Sequence, residues 1–322
     1  MLLRSKFCNP AVSGKWKHIM TTLATDSTAP MASASHSASA KGWWSGLVGM
    51  LIFSGSLPAT RLALRDFDPL FLTFARASMA GLLALAIVLL CKERIPTRSQ
   101  WLSLIVVAVG VVVGFPLLTA LALQHVTSAH SVVFVGLLPL ATAVFGVLRG
   151  GERPRAAFWV FSLIGSALVA AFALGDAGSA SLKGDSLMLL AIVLCGLGYA
   201  EGGKLSRSLG GWQVISWALI LSLPFMAAAM LRWWPAQLGA VSVAGWLSLG
   251  YVALFSMFLG FVFWYRGLAL GGIAAVGQLQ LLQPFFGLAL AAWLLHEPVS
   301  VAMIGVTLVV VLCVAGAKKF SK

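Results

Sequence analysis

Charge is scarce in this sequence. Of its 322 residues only 10% are charged, and nine are acidic. A water-soluble domain carries roughly 25% charged residues. This chain therefore lacks the polar surface to cover a globule, and lipid is the solvent that its 60% hydrophobic content fits. Cysteine is sparse too: Cys8, Cys91, Cys195 and Cys313 lie far apart with no CxxC or other metal spacing, so no disulfide, metal site or cofactor is expected. Enzyme signatures are missing. "HEP" at 296–298 begins like HExxH but meets no second His, no GxSxG elbow occurs, and no pair of Asp residues lies in the apolar segments. The net charge of +13 does not point to nucleic acid, because Lys and Arg sit in short clusters between apolar blocks and form no basic face.

What the chain does have is long apolar blocks. A bilayer core about 30 Å thick needs about 20 apolar residues as helix. Ten segments meet that need, near 44–64, 69–91, 101–123, 127–148, 156–175, 186–205, 212–232, 243–265, 273–295 and 300–317. They are separated by charged or turn-forming stretches such as "RDFDP", "RGGERPR" and "SRSLGG", and the blocks are too continuous for a barrel's alternating strands. The expected class is an all-α polytopic membrane protein. Placing the N-terminus in the cytoplasm leaves only Arg61, Arg65, Lys183 and Arg232 among the connecting cations on the far side. That distribution places both termini in the cytoplasm. Residues 1–42, with "TDSTAPMASASHSASAKG", are too polar and small to bury a core and are expected to be a disordered cytoplasmic tail; no apolar leader core precedes Lys41.

The ten segments divide into two related halves. "LLPLATAVFGVLRGGER" carries Pro139 and Glu152, and "LLQPFFGLALAAWLLHEP" carries Pro284 and Glu297 with the same internal spacing. "LALQHVTSAH" at 121–130 likewise resembles "LALGGIAAVG" at 268–277. Residues 43–175 and 185–318 thus read as two copies of a five-helix unit. Because five is odd, the second copy enters the membrane from the opposite face, an inverted repeat of the kind found in secondary transporters. The two Glu residues then fall at equivalent helix ends, Glu152 cytoplasmic and Glu297 extracytoplasmic. There they avoid the cost of mid-membrane charge and can approach the N-terminus of the following helix.

With "GER" and "HEP" closing the two Pro-containing helices, and "DPLFLTFARASMAGLLAL" around Arg76 in the second span, the chain resembles the EamA family of the drug/metabolite transporter superfamily. The resemblance covers about 43–318. It implies a ten-helix exporter of small metabolites, often amino acids. The second half offers no counterpart to Arg76 near Leu219, so any role of that residue is not duplicated.

A binding site in such a carrier is expected near the midplane, at helices broken by Pro or Gly. Pro58, Pro116, Pro139, Pro224 and Pro284 lie within spans, and Pro139 with Pro284 can shape the two ends of one cavity, unless they are tolerated kinks. Gln280 and Gln283 share a helix face and are candidates for substrate contact or for helix packing. His130, with Ser131, lies about a turn inside the fourth span, as a packing residue or a proton carrier. Arg76 lies about 12 Å into its span at 1.5 Å per residue. It can snorkel outward, pair with Asp66 or Asp68, or hold a substrate carboxylate. Tyr199, Trp264 and Phe134 offer flat or amphipathic walls. Glu201 and Lys204 are spaced for a local ion pair, and only His130 and Glu201 come near the position of a proton relay.

The function expected from these features is secondary export of small neutral or zwitterionic metabolites, such as amino acids, by alternating access. The partners are a small-molecule substrate and membrane lipid. The expected location is the bacterial inner (cytoplasmic) membrane, as a monomer or weak homodimer. A lipid or lipid-precursor flippase on the same scaffold is the alternative.

Overall fold

The computed structural model describes residues 31–122, 125, 134–174, 181–235, 239, 241–295 and 301–321, and every regular element among them is helical. In chain order these are α1 (Met31–Ser54), α2 (Ser56–Ala63), α3 (Pro69–Cys91) and α4 (Arg98–Val107). A π-helical stretch (Ala108–Gly114) then leads into α5 (Phe115–Ala122), followed by α6 (Leu138–Gly150) and α7 (Ala156–Leu174). Beyond the middle of the chain come α8 (Leu182–Leu209), α9 (Gly211–Arg232) and α10 (Val243–Gly250). A second π stretch (Tyr251–Leu259) joins α10 to α11 (Gly260–Gly271). The chain ends with α12 (Ile273–Gly277), a 3₁₀ turn (Gln278–Leu282), α13 (Gln283–Leu295) and α14 (Val301–Lys319).

Five of the described helical runs are long and apolar enough to cross a membrane: Pro69–Cys91, Arg98–Ala122, Leu182–Leu209, Gly211–Arg232 and Val243–Gly271. Their outer faces carry Leu90, Leu102, Phe225 and Leu247, all at least two-thirds exposed. Such a surface is tolerable only against lipid. The protein is an integral membrane protein.

Local chemistry sets the boundaries. Asp68, just before Pro69, accepts from the Leu70 and Phe71 N–H groups at 2.8 and 3.2 Å and starts α3. Thr97 and Gln100 form a capping box ahead of α4. Gly210 and Gly272, at φ 96° and 95°, turn the chain from α8 into α9 and from α11 into α12 through a conformation side chains resist. The helix α1 begins at Met31, inside the stretch 1–42 expected to be disordered. Its Ala-rich sequence explains the difference, since alanine is the strongest helix former. Residues 1–30 lie outside the described residues.

Packing follows the repeat. The most extensive contacts join α1 to α11, α3 to α9, α8 to α6, and α7 to α14, and α8 also packs along α4, the first π stretch and α5. Each pair unites an element of the first half with one of the second. The α1/α11 crossing is close because Gly42 and Gly46 face Gly267 and Gly271, two small-xxx-small pairs, and the Ser45 hydroxyl donates to the Phe263 carbonyl at 2.8 Å.

Candidate functional site

Where the two halves meet, a cavity of about 270 Å³ is enclosed by the α1/α2 break, α3, the first π stretch with α5, α6, α8, the second π stretch with α11, and the 3₁₀ turn with α13. Helix irregularities surround it, and each has a cause. At Gly55 the helix divides into α1 and α2, and the Tyr251 hydroxyl donates to the Ile52 carbonyl there at 2.8 Å. Pro116 has no N–H to offer; the π stretch before it accommodates the loss, with the Phe115 N–H reaching the Gly110 carbonyl. Pro284 has the same defect, and the Gln280 carbonyl takes the Gln283 N–H of the 3₁₀ turn instead. Thus the Gln280 carbonyl, four residues before Pro284, still has a donor.

The cavity wall is mostly apolar, with Phe53, Leu72, Val111, Phe115, Leu138 and Phe261, but it carries several polar side chains. Some satisfy one another. Gln280 Nε2 donates to the Tyr199 hydroxyl at 3.1 Å, Ser56 donates to Ser256 at 2.7 Å, and Thr73 bonds back to the Pro69 carbonyl at 2.8 Å. Three do not. Arg76 Nε, Thr119 Oγ1 and Gln280 Oε1 are buried without a hydrogen-bond partner. Each orphaned buried polar group costs about 1–3 kcal/mol, and a charge inside the membrane costs about 3 kcal/mol on the insertion scale. Other partnerless atoms, among them Trp264 Nε1 and Ser162 Oγ, lie away from this wall, so orphaning alone does not mark the site. The shared cavity at the junction of the halves, lined by three of these side chains, does.

The candidate residues separate clearly. Arg76, Tyr199, Gln280, Gln283 and Pro284 line the cavity together. Trp264 does not; it is fully buried, packed tilted against Tyr199 and edge-on to Phe53 at 5.6 and 6.0 Å between ring centres. Phe134 packs against the core and is not part of the cavity lining. Pro58 is buried within α2, and Pro139 opens α6, where its carbonyl accepts from Gln278 Nε2 at 3.4 Å. Of the Pro139/Pro284 pair, then, only one reaches the cavity. His130 and Glu297 lie outside the described residues. The expected pairing of Arg76 with an aspartate is not found: Asp68 caps α3, and Asp66 accepts from the Ser242 hydroxyl at 2.5 Å. The lining hydroxyls Ser56, Thr60, Thr119 and Ser256 were not singled out from sequence, because Ser and Thr are common in apolar helices and these have no distinctive spacing.

At the other end of the helices lie two ion-pair assemblies. Glu201 takes Arg149 at 2.9 Å and the Ser103 hydroxyl at 2.6 Å. Lys204, the partner expected from spacing, is not bonded to it, because α6 and α4 pack across the face that Glu201 presents. Glu152 accepts from the Ile273 and Ala274 N–H groups, both at 2.7 Å, and pairs with Arg207 at 3.0 Å. It therefore caps a helix of the other half and not the helix that follows it. Ideal charge-assisted geometry explains the choice, since that helix start offers two free N–H groups.

The model of the EamA-like transporter family matches residues 40–174 and 182–317. The chain is 65% identical over 281 residues to the uncharacterized transporter YdeK of Bacillus subtilis (strain 168), covering 87% of this chain and 98% of that protein. It is 27% identical over 207 residues to the uncharacterized inner membrane transporter YedA of Escherichia coli (strain K12), covering 64% of this chain and 67% of that one. A solved crystal structure shares the fold at a TM-score of 0.74 and 18% identity, over 88% of this chain and 98% of that chain. With two tandem copies of the family unit and a relative at this level of identity, the chain belongs to the EamA-like transporter family.

Proposed function

We propose that the protein is a secondary transporter exporting small metabolites, amino acids or related neutral or zwitterionic compounds, by alternating access. In this reading ten helices span the bacterial inner membrane as two inverted five-helix repeats, with both termini in the cytoplasm. The observation that carries it is the cavity at the junction of the halves, polar on a few side chains and apolar elsewhere. At about 270 Å³ it lies just below the roughly 300–1,000 Å³ of drug-sized ligand sites, a size suited to a small metabolite.

The reciprocal packing supports the alternating mechanism. α1 meets α11 as α8 meets the α4–α5 run, and α3 meets α9, so one half can rock on the other about shared seams. The cavity is bounded by Thr60, Leu64 and Pro69, at helix ends that the charge distribution assigns to the extracytoplasmic face. The Glu201–Arg149 and Glu152–Arg207 pairs close the ends assigned to the cytoplasm. The described arrangement then corresponds to a state sealed on the inside.

The test is transport into proteoliposomes from a panel of labelled amino acids and nucleosides, with tags on both termini to fix topology. Saturable uptake of amino acids, and tags that both face the cytoplasm in cells, are expected. Movement of none of the panel, accompanied by scrambling of a fluorescent lipid, would overturn this reading in favour of a flippase.

A further inference from the structure

Arg76 is the one charged side chain among the described residues lining the cavity. Its Nε is buried and unpartnered. Four carboxylates are engaged elsewhere: Asp68 with the start of α3, Asp66 with Ser242, Glu201 with Arg149, and Glu152 with Arg207. A guanidinium on this largely apolar wall without a protein anion is mismatched until an anion arrives. Two further groups on the same wall, the Thr119 hydroxyl and the Gln280 carbonyl oxygen, are equally without partners.

We infer that Arg76 receives the carboxylate of the transported metabolite, so that the substrate class is a small compound with a single carboxylate on an apolar body. This rests on the transporter reading above and specifies its substrate. A planar guanidinium matches a carboxylate through two parallel hydrogen bonds. The Thr119 hydroxyl is a further donor on the wall that carries it. A second carboxylate finds no second cation among the described lining residues. An amine without a carboxylate meets a like charge and no acid. The ammonium of an amino acid, by contrast, can be met by neutral acceptors. Gln280 carries an oxygen without a protein partner, and Ser54 at the end of α1 lines the same cavity. The aromatic rings of Phe53, Phe115 and Phe261 suit an apolar side chain.

The experiment uses the full chain in proteoliposomes preloaded with labelled L-leucine or L-phenylalanine. Counterflow is driven by the same amino acid, by its carboxamide, or by the acid lacking the amino group. With the wild type, both acids are expected to drive exchange at least about tenfold better than the amide, the loss expected when one charge-assisted pair is removed. Arg76→Gln is expected to erase that preference, and Arg76→Lys to keep it in weakened form. Equal exchange by acid and amide in the wild type overturns the inference while leaving the transporter reading intact. Failure of both labelled amino acids and both deaminated acids to exchange overturns the two together. The wild-type comparison decides the matter even if Arg76→Gln does not fold.

Discussion

Arg149 and Glu201, one on each half of the molecule, meet at 2.9 Å, with the Glu201 side chain 2% and the Arg149 side chain 47% exposed. The asymmetry sets the expected cost of breaking the pair. Arg149→Ala leaves a buried carboxylate with the Ser103 hydroxyl as its one remaining hydrogen-bond partner and the charge of Lys204 nearby, whereas Glu201→Gln leaves a half-exposed arginine that water can solvate. Arg149→Ala should therefore cost about 1–3 kcal/mol, and Glu201→Gln less. Thermal unfolding of the purified protein in detergent measures both. The double variant should recover part of the Arg149→Ala loss. No loss from Arg149→Ala would mean that water already satisfies Glu201.

Glu152 and Arg207 predict a different ranking. The carboxylate receives two backbone N–H bonds at 2.7 Å, while its pair with Arg207, whose side chain is 42% exposed, is a surface interaction. Glu152→Ala should thus destabilise by about 2–3 kcal/mol through two lost charge-assisted bonds. Arg207→Ala should cost at most about 1 kcal/mol. Equal effects in the same unfolding assay would place the importance of Glu152 in the ion pair and not in the cap.

Much of this arrangement was legible beforehand. Apolar runs and intervening charges marked the helices, and the Pro–Glu echo marked the repeat. Arg76, Gln280 and Gln283 stood out because polar side chains are rare in such runs, and they do reach one cavity. The partners of the acidic residues were not legible. Spacing along one helix suggested Lys204 for Glu201, yet the actual partners Ser103 and Arg149 come from helices distant in sequence. No local pattern encodes which helices will cross. The same limit hid Trp264, whose ring is turned behind Tyr199 and away from the cavity. The helical span of residues 31–42 was missed because a polar Ser/Ala tract reads as unable to fold by itself, although alanine favours helix wherever its end is anchored.

Tyr199 and Gln280 supply a prediction about the cavity itself. Their hydrogen bond at 3.1 Å fixes the Gln280 amide and leaves its oxygen without a protein partner. Tyr199→Phe keeps the ring but removes the acceptor, freeing the amide to rotate. Substrate KM should rise by about threefold to tenfold, as expected for a bond of about 1 kcal/mol, with the maximal rate changed less. Concentration-dependent uptake into proteoliposomes separates the two parameters. A fall in maximal rate with KM unchanged would place Tyr199 in the conformational step instead.

The glycine seam between α1 and α11 gives the sharpest contrast. A Cβ added to Gly267 would lie 2.6 Å from the Gly46 nitrogen and 3.0 Å from the Gly42 carbonyl oxygen, both backbone atoms that cannot swing aside. Gly267→Ala must therefore part the two helices, and overpacking of this kind costs about 1–3 kcal/mol. Gly305, on α14, has nothing within 4 Å of the same added atom. There the substitution only removes glycine's backbone entropy, and it should stabilise by up to about 1 kcal/mol. Opposite shifts of the detergent unfolding temperature are the expected result. If Gly267→Ala were as stable as the wild type, α1 and α11 would not be in close contact through this seam, and the other pairs, α3 with α9, α8 with α6 and α7 with α14, would carry the joint between the halves.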